Sequence, residues 1–427
     1  MRVLVVGSGG REHALCWKLK QSQGLSSLFC APGNAGIAKV ATCIEIESDD
    51  IEGLCLFARE EKIDLVVIGP EVPLSLGLVD SLEELGIKSF GPNKKCSQLE
   101  ASKSFTKAFL ARHTIPTAMY REYNNKEDCL ANIGVFGYPM VIKADGLAAG
   151  KGVIIAQDEM TAQAAIEALM GQRIFGSAGD KIVVEEYLEG VETSALCFVD
   201  KDTILPMDSC QDYKRINDHD KGENTGGMGS YSPNNLFDRN LWQRINTDIF
   251  LPTLKGLQED GLDFKGLLFI GLMITKDGPK VIEFNNRFGD PETQSLLPRM
   301  KNDLLEVLLA TVENRLGEIK LEWDDRFCVT VNLVSQGYPS KPIIGREIKG
   351  LGDLDAEILV FHGATKLGLN KDSGSGIPLL LTNGGRVLSI SGLGGNIEEA
   401  RRNVYHNIDR ISFQGIYFRK DIASNKI

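Results

Sequence analysis

Residues 141–156, VIKADGLAAGKGVIIA, constrain the fold of this 427-residue chain more than any other stretch. An apolar run ends in Lys143, crosses a turn of small residues to Lys151, and resumes as the partly β-branched run VIIA. Two strands joined by such a turn make a hairpin flap. The embedded AGKG invites comparison with a P-loop, but GxxxxGK(S/T) needs Gly at 145 and Ser or Thr at 152, where Asp145 and Gly152 stand. A P-loop also opens a helix whose N-terminus faces the phosphates, and here a strand follows. The segment reads as a flap that closes a lysine over a polyphosphate; the alternative is an ordinary glycine-rich turn with a solvated lysine.

The rest of the chain sorts around this flap. At about 150 residues per unit, the length predicts three domains. The runs VLVV, DLVVIG and IKSFG alternate with the helical patterns EHALCWKLK and LVDSLEELG, the rhythm of a parallel βαβ sheet, over 1–102. A helix, KSFTKAFLARH, then opens a larger α/β and α+β unit at 103–325, whose small flap subdomain spans about 117–190. Short strands with turns and one late helix predict a β-rich domain over 326–427.

The formal charge of −11 argues against a nucleic-acid surface, which needs a dense field of Lys and Arg. Nine scattered cysteines without a CxxC pair, and only five histidines, build no zinc site and read as reduced core thiols. No run reaches 18 apolar residues, and Met1 is followed at once by RVLVV, so a cytoplasmic protein with no membrane partner is expected. No GxSxG occurs, which removes serine hydrolysis.

Three further segments carry chemistry. In VIEFNNRFGDPETQ (281–294), strand alternation puts Val281, Glu283 and Asn285 on one face and Ile282 and Phe284 on the other. A carboxylate beside an amide oxygen is a Mg²⁺ pair, since Mg²⁺ takes its remaining ligands from water and phosphates. Arg287, Asp290 and Glu292 crowd the turn that follows; an edge strand entering a charged surface turn is the plainer alternative. At the N-terminus, Gly7, Gly9, Gly10, Arg11 and Glu12 lie between strand and helix, where free backbone N–H groups can hold an anion. A dinucleotide fingerprint would place its third glycine at position 12, and Glu12 stands there. The turn is either a ligand cradle or a tight packing turn, with Asn34 and Glu71 in later turns able to face the same crevice. The loop at 209–233, with Gln211, Asp212, Lys214 and Arg215, is either functional or a mobile surface loop.

In this order Lys103, Lys143, the flap, EEYLEG and EFNNRFGDPE resemble the ATP-grasp ligases. More narrowly, GSGGREHAL, PGNAG, GPE, VIKADGLAAGKGV, NTGGMG, EFNNRFGDPETQ, GYP and TNGGRVL resemble the phosphoribosylamine–glycine ligase family over essentially the whole length. The resemblance implies a Rossmann-like, substrate-binding N-terminal domain, an ATP-grasp core and a β-rich C-terminal domain. It implies that ATP, glycine and 5-phosphoribosylamine react through a glycyl phosphate to give glycinamide ribonucleotide, ADP and phosphate, with Mg²⁺ or Mn²⁺, by a monomer. Carried onto this chain, Lys103, Lys143, Gly150, Lys151, Gly152, Glu185, Glu186, Leu188 and Glu192 would bind ATP, and Glu283 and Asn285 the metal. Gly9, Gly10, Arg11, Glu12, Asn34, Glu71 and Asp290 would take the phosphoribosylamine, and Asp212 with Glu292 the glycine ammonium. Arg287, Lys143 and Asp290 would be catalytic. The strand GLLFIGLMIT offers no second metal carboxylate, and VSQGYPS has one glycine where the family pattern has two. Two other readings remain: an NAD-dependent oxidoreductase, disfavoured by Glu12 and the flap, and a non-catalytic nucleotide sensor, disfavoured by Glu283, Asn285 and Arg287 together.

Overall fold

The computed structural model describes residues 1–148, 152–369 and 378–424. Its first sheet is all parallel, in the order Thr42–Cys43, Ser27–Pro32, Arg2–Gly7, Leu65–Ile68, Lys88–Phe90. Strand Arg2–Gly7 is apolar on both faces because both are covered. Val3 and Val5 pack with Leu15 and Leu19 of helix Gly10–Leu19, while Leu4 and Val6 pack with Leu54, Ala58 and Leu82 of helices Ile51–Glu60 and Leu78–Glu84. Chain order reverses between Arg2–Gly7 and Leu65–Ile68, and a crevice opens at such a switch point beyond the strand ends.

A second, antiparallel sheet runs Ile204–Pro206, Val191–Val199, Gly266–Thr275, Gly278–Asn285. Its Phe198 and Phe269 share one apolar core with Val3, Val5 and Leu15 of the first sheet, so these two sheets are held as one block. The flap region forms its own four-stranded sheet, Tyr120–Tyr123, Ile182–Glu186, Met140–Ala144, Val153–Ala156, backed by helix Glu159–Ile166. Val153–Ala156 is a strand paired antiparallel to Met140–Ala144, with Lys143 opposite Val153, which confirms the hairpin and excludes the P-loop geometry.

The stretch expected as one long loop at 209–233 is partly strand. Gly229–Ser232 pairs with Phe327–Val334, and Gln211–Asp212 adds outside it, so two pieces of the central chain complete a five-stranded sheet with Arg386–Gly394 and Leu359–His362. These strands escape a local reading because each is short and Gly229–Ser232, on which Gln211–Asp212 depends, finds its other partner about a hundred residues away. Among the described residues all nine cysteines are free, and no helix is long and apolar enough to cross a membrane.

Candidate functional site

Two clusters of charge face each other where the sheets meet. The first is built on lysines. Lys103 opens helix Lys103–Arg112, and its Nζ donates to the Gly146 carbonyl oxygen at 2.8 Å. The same helix start is bound from outside by Asp145, whose carboxylate accepts from the Ser104 backbone N–H (3.0 Å), the Ser104 hydroxyl (2.6 Å) and the Ser102 hydroxyl (3.0 Å). A carboxylate suits a helix N-terminus, and this one fixes the end of Lys143's strand against the start of Lys103's helix. Lys143 and Glu185 are diagonal neighbours on adjacent strands, Lys143 facing Val183 and Val141 facing Glu185. Their ion pair spans 2.8 Å, and Lys143 Nζ also donates to the Ile282 carbonyl oxygen at 3.3 Å. Apart from this ion pair, the buried Glu185 Oε1 has no hydrogen-bond partner. Glu186 Oε1 accepts from the Met119 N–H at 3.0 Å, Leu188 is half-buried in the crossing to the next strand, and Glu192 pairs with Lys214. Gly152 is buried, and its carbonyl accepts from Ala144; Gly150 and Lys151 lie outside the described residues.

Glu283 corrects the expected alternation. Strand Gly278–Asn285 matches Asn285 with Phe269 and Glu283 with Gly271, but then Val281 with Leu272, leaving Ile282 as an extra residue. That β-bulge reverses the faces: Val281 joins Phe284 in the core, while Glu283 and Asn285 remain outside it. Gly271 leaves the space Glu283 needs, since a Cβ there would stand 3.1 Å from its Cγ. Burial opposes ionisation of Glu283, but the ammonium groups of Lys214, Lys143 and Lys103 outweigh it and hold the carboxyl below its usual range, helped by a hydrogen bond with Asn285. An ionised carboxylate beside an amide oxygen fits a Mg²⁺ that completes its shell from water and phosphate. Among the described residues no group of three or more His, Cys, Asp or Glu gathers as a fuller cage.

The second cluster is built on arginines from three sheets. Arg11 follows the first strand and donates to Glu12 (2.6 Å) and the Phe288 carbonyl oxygen (3.0 Å). Arg287 Nε lies 3.3 Å from Glu100 and 3.5 Å from Glu71. Arg386, in the last sheet, donates to the Asp290 carbonyl oxygen (2.6 Å), the Asp290 carboxylate (3.0 Å) and the Gly226 carbonyl oxygen (2.6 Å). Burial raises the Asp290 carboxyl, but Arg386 and Arg11 more than reverse this and keep it ionised. Asp212 and Glu292 behave oppositely: burial first, with neighbouring carboxylates, raises both, Glu292 to about 8. They are buried carboxylates short of a cation.

Four expected ligand residues are engaged by the protein itself. Glu12 caps its own helix by accepting from the Gly9 N–H at 2.7 Å, and its side chain fills the switch-point crevice: a Cβ on Gly69 would meet its Oε1 at 2.1 Å, and one on Gly7 its Cγ at 2.6 Å. A dinucleotide has no room there. Gly10 is glycine because the helix start abuts Gln294, whose Nε2 would stand 2.7 Å from a Cβ; at Gly9 a Cβ would meet Glu12 at 2.8 Å and approach Asp290 to 3.5 Å. Asn34 donates to the Ser8, His362 and Gly363 carbonyl oxygens and accepts from the Gly36 and Ile37 N–H groups, so its amide is saturated by backbone. The sequence reading missed Lys107, Glu100, Asp145 and Arg386. Asp145 and Arg386 carried a signal, as parts of VIKADGLAAGKGV and TNGGRVL; Lys107 and Glu100 gain meaning from partners far away in the chain.

Comparison with known proteins agrees over the full length. The family models for the phosphoribosylglycinamide synthetase N domain, ATP-grasp (A) domain and C domain match residues 1–100, 101–293 and 328–425. Phosphoribosylamine–glycine ligase of Caldanaerobacter subterraneus is 46% identical over 99% of this chain and 100% of its own length. That of Escherichia coli O157:H7 is 47% identical over 99% and 98%. The crystal structure of phosphoribosylamine–glycine ligase from Thermotoga maritima superposes with a TM-score of 0.85 at 34% identity, covering 99% of this chain and 100% of that one. A Campylobacter jejuni biotin carboxylase, 15% identical with a TM-score of 0.75 over 99% and 94%, shares the fold.

Proposed function

The chain belongs to the phosphoribosylglycinamide synthetase family, and on that premise we propose how its cleft divides the labour of an ATP-dependent ligase that joins glycine to 5-phosphoribosylamine. The reaction belongs to purine biosynthesis. A carboxylate is a poor acyl donor, so the γ-phosphoryl group is first transferred to glycine; the amine then attacks the glycyl carbon and expels phosphate. Neither step needs a protein nucleophile, only positioning and charge neutralisation.

Lys103 and Lys143 take the phosphate tail, and Gly152 at the base of the flap contributes to the same seat. Glu185, Glu186 and Leu188 border the base, Glu192 lies toward the ribose, and Glu185 Oε1, with no partner beyond the Lys143 ion pair, offers an acceptor to an exocyclic amine. A divalent ion held by Glu283 and Asn285 would neutralise phosphate charge. Arg287, kept cationic by Glu100 and Glu71 against the cost of burial, stabilises the acyl phosphate. Asp212 and Glu292, raised by burial and by neighbouring carboxylates more than Lys214 offsets, receive the glycine ammonium. Asp290, held ionised by arginines, accepts hydrogen bonds from the acceptor rather than storing a proton. Arg11 and Glu71 complete that seat, while Gly9, Gly10, Glu12 and Asn34 shape it from behind.

The observation that carries this reading is the placement of Lys103 Nζ on the Gly146 carbonyl oxygen (2.8 Å) and of Lys143 Nζ on the Ile282 carbonyl oxygen (3.3 Å), which brings two ammonium groups to the bulge that presents Glu283 and Asn285. Phosphate release with ATP, glycine and phosphoribosylamine, omitting each in turn, tests it. Full turnover is expected only with all three; equal phosphate release without glycine would sink the acyl-phosphate route.

A further inference from the structure

Lys107 is 2% exposed and has no part in the chemistry described above. It lies one helical turn beyond Lys103, on the same face of helix Lys103–Arg112. Lys103 reaches the flap, but Lys107 is enclosed. Its Nζ lies 3.1 Å from Glu185 Oε2, donates to Thr117 Oγ1 at 2.8 Å, and sits 5.6 Å from the centre of the Tyr120 ring. Thr117 passes the bond on to the Val281 carbonyl oxygen at 2.7 Å. Across the same carboxylate, Lys143 lies 2.8 Å from Glu185 Oε1 and donates to the Ile282 carbonyl oxygen. The two lysines and Glu185 therefore form a polar chain with both ends on neighbouring carbonyls of the bulged strand.

Burying two ammonium groups against one carboxylate is costly, and replacing such a cluster with apolar side chains often costs nothing. The cost is visible at Lys107, where burial outweighs Glu185 and lowers the ammonium to about 8. A role beyond stability is needed, and the geometry supplies one. Lys107 at 3.1 Å from Oε2 and Lys143 at 2.8 Å from Oε1 hold the carboxylate from both sides, and Oε1, which has no partner beyond that ion pair, keeps a second lone pair for a ligand donor.

We propose that Lys107 is a positioning residue for nucleotide binding: by gripping Glu185 Oε2 it fixes both the Lys143 ammonium that meets the phosphates and the Glu185 Oε1 acceptor that selects a 6-amino purine. This rests on the assignment of Glu185 and Lys143 to the nucleotide. Inosine triphosphate, which carries a carbonyl in place of the 6-amino group, separates the two effects.

Steady-state rates with ATP and with inosine triphosphate should be measured for the full-length enzyme and for Lys107→Met, Glu185→Gln and the double variant. For Lys107→Met the KM for ATP should rise about tenfold or more, the scale of one charge-assisted hydrogen bond. The preference for ATP over inosine triphosphate should fall alongside it, with the KM for glycine nearly unchanged. In the Glu185→Gln background, Lys107→Met should leave that preference where it stands, because the cycle isolates action through Glu185. Should Lys107→Met fail to fold, Thr117→Val loosens the same ammonium while keeping every charge, and should lower the preference about twofold to threefold. A variant of lowered melting temperature whose KM for ATP and purine preference match the parent overturns the proposal, as does a parent enzyme indifferent to the 6-amino group. Failure of the parent to consume ATP with glycine and phosphoribosylamine would instead overturn the ligase reading.

Discussion

On the lysine side of the cleft, the groups come from two adjoining sheets and the helix between them, and strand register alone brings Lys143 to Glu185 and Glu283 opposite Gly271. On the arginine side, Arg11, Arg287 and Arg386 come from three different sheets, and much of their donor capacity goes to backbone carbonyls at Phe288, Asp290 and Gly226. Ammonium groups are compact charges on flexible stems, whereas a guanidinium holds several partners in one plane. The lysine side is thus suited to a phosphoryl group that moves during reaction, and the arginine side to a seat that must not.

This contrast breaks most sharply at the metal pair. Glu283→Gln keeps the shape but removes the carboxylate that three lysines keep ionised, so turnover should fall by about a thousandfold and the Mg²⁺ concentration for half-maximal rate should rise. An unaltered Mg²⁺ titration would remove Glu283 from the metal site. Next in size, Arg287→Ala should lower kcat by about a hundredfold with the KM for ATP nearly constant; a selective loss of ATP affinity would move Arg287 to the lysine side.

Asn34→Ala tests the rigid side without touching chemistry. It removes five backbone contacts, two of which, to the His362 and Gly363 carbonyl oxygens, join the first sheet to the hairpin after His362. A loss of about 2–4 kcal/mol in unfolding free energy is expected, while the KM for ATP stays fixed. A raised KM for phosphoribosylamine in a variant of parental stability would make Asn34 a ligand residue after all.

The smallest effect is acid sensitivity at the same junction. His13 Nδ1 accepts from the His362 N–H at 2.8 Å, and His362 itself contacts Thr365. Burial, with the nearby Lys39 charge and, for His13, His362, lowers His13 to about 3 and His362 to about 4. Both are neutral in the fold, whereas the unfolded chain protonates near the ordinary 6.5. Stability from this pair is therefore complete above pH 6.5 and is lost as pH falls from there to about 4 for His362 and about 3 for His13. Denaturant midpoints at pH 7.5, 6 and 5 should fall in that order, and His13→Asn should flatten the slope; an unchanged slope would discount the pair.

The legibility of the two sides differs for the same reason. Lys103, Lys143, Glu185 and Glu283 stand at strand ends and helix starts that a local pattern announces, and the hairpin flap followed from Val153–Ala156 being β-branched. Glu12 and Asn34 were legible as turn residues, but not their partners: Glu12 fills the crevice it was expected to open to a ligand, and Asn34 is spent on a hairpin more than three hundred residues away. Glu283 and Asn285 share a face as expected, but Val281 falls on the core face with Phe284, because a bulge depends on the pairing strand and leaves no mark on its own sequence.

The sequence alone determined the parallel βαβ start, the flap and the order of the charged groups, since helix and strand periodicity and turn chemistry act over a few residues. Tertiary structure decided which charges are free for ligands and which are consumed in holding sheets together. A charge shows its role only once its surroundings are dry and its partners, drawn from distant strands, have been counted.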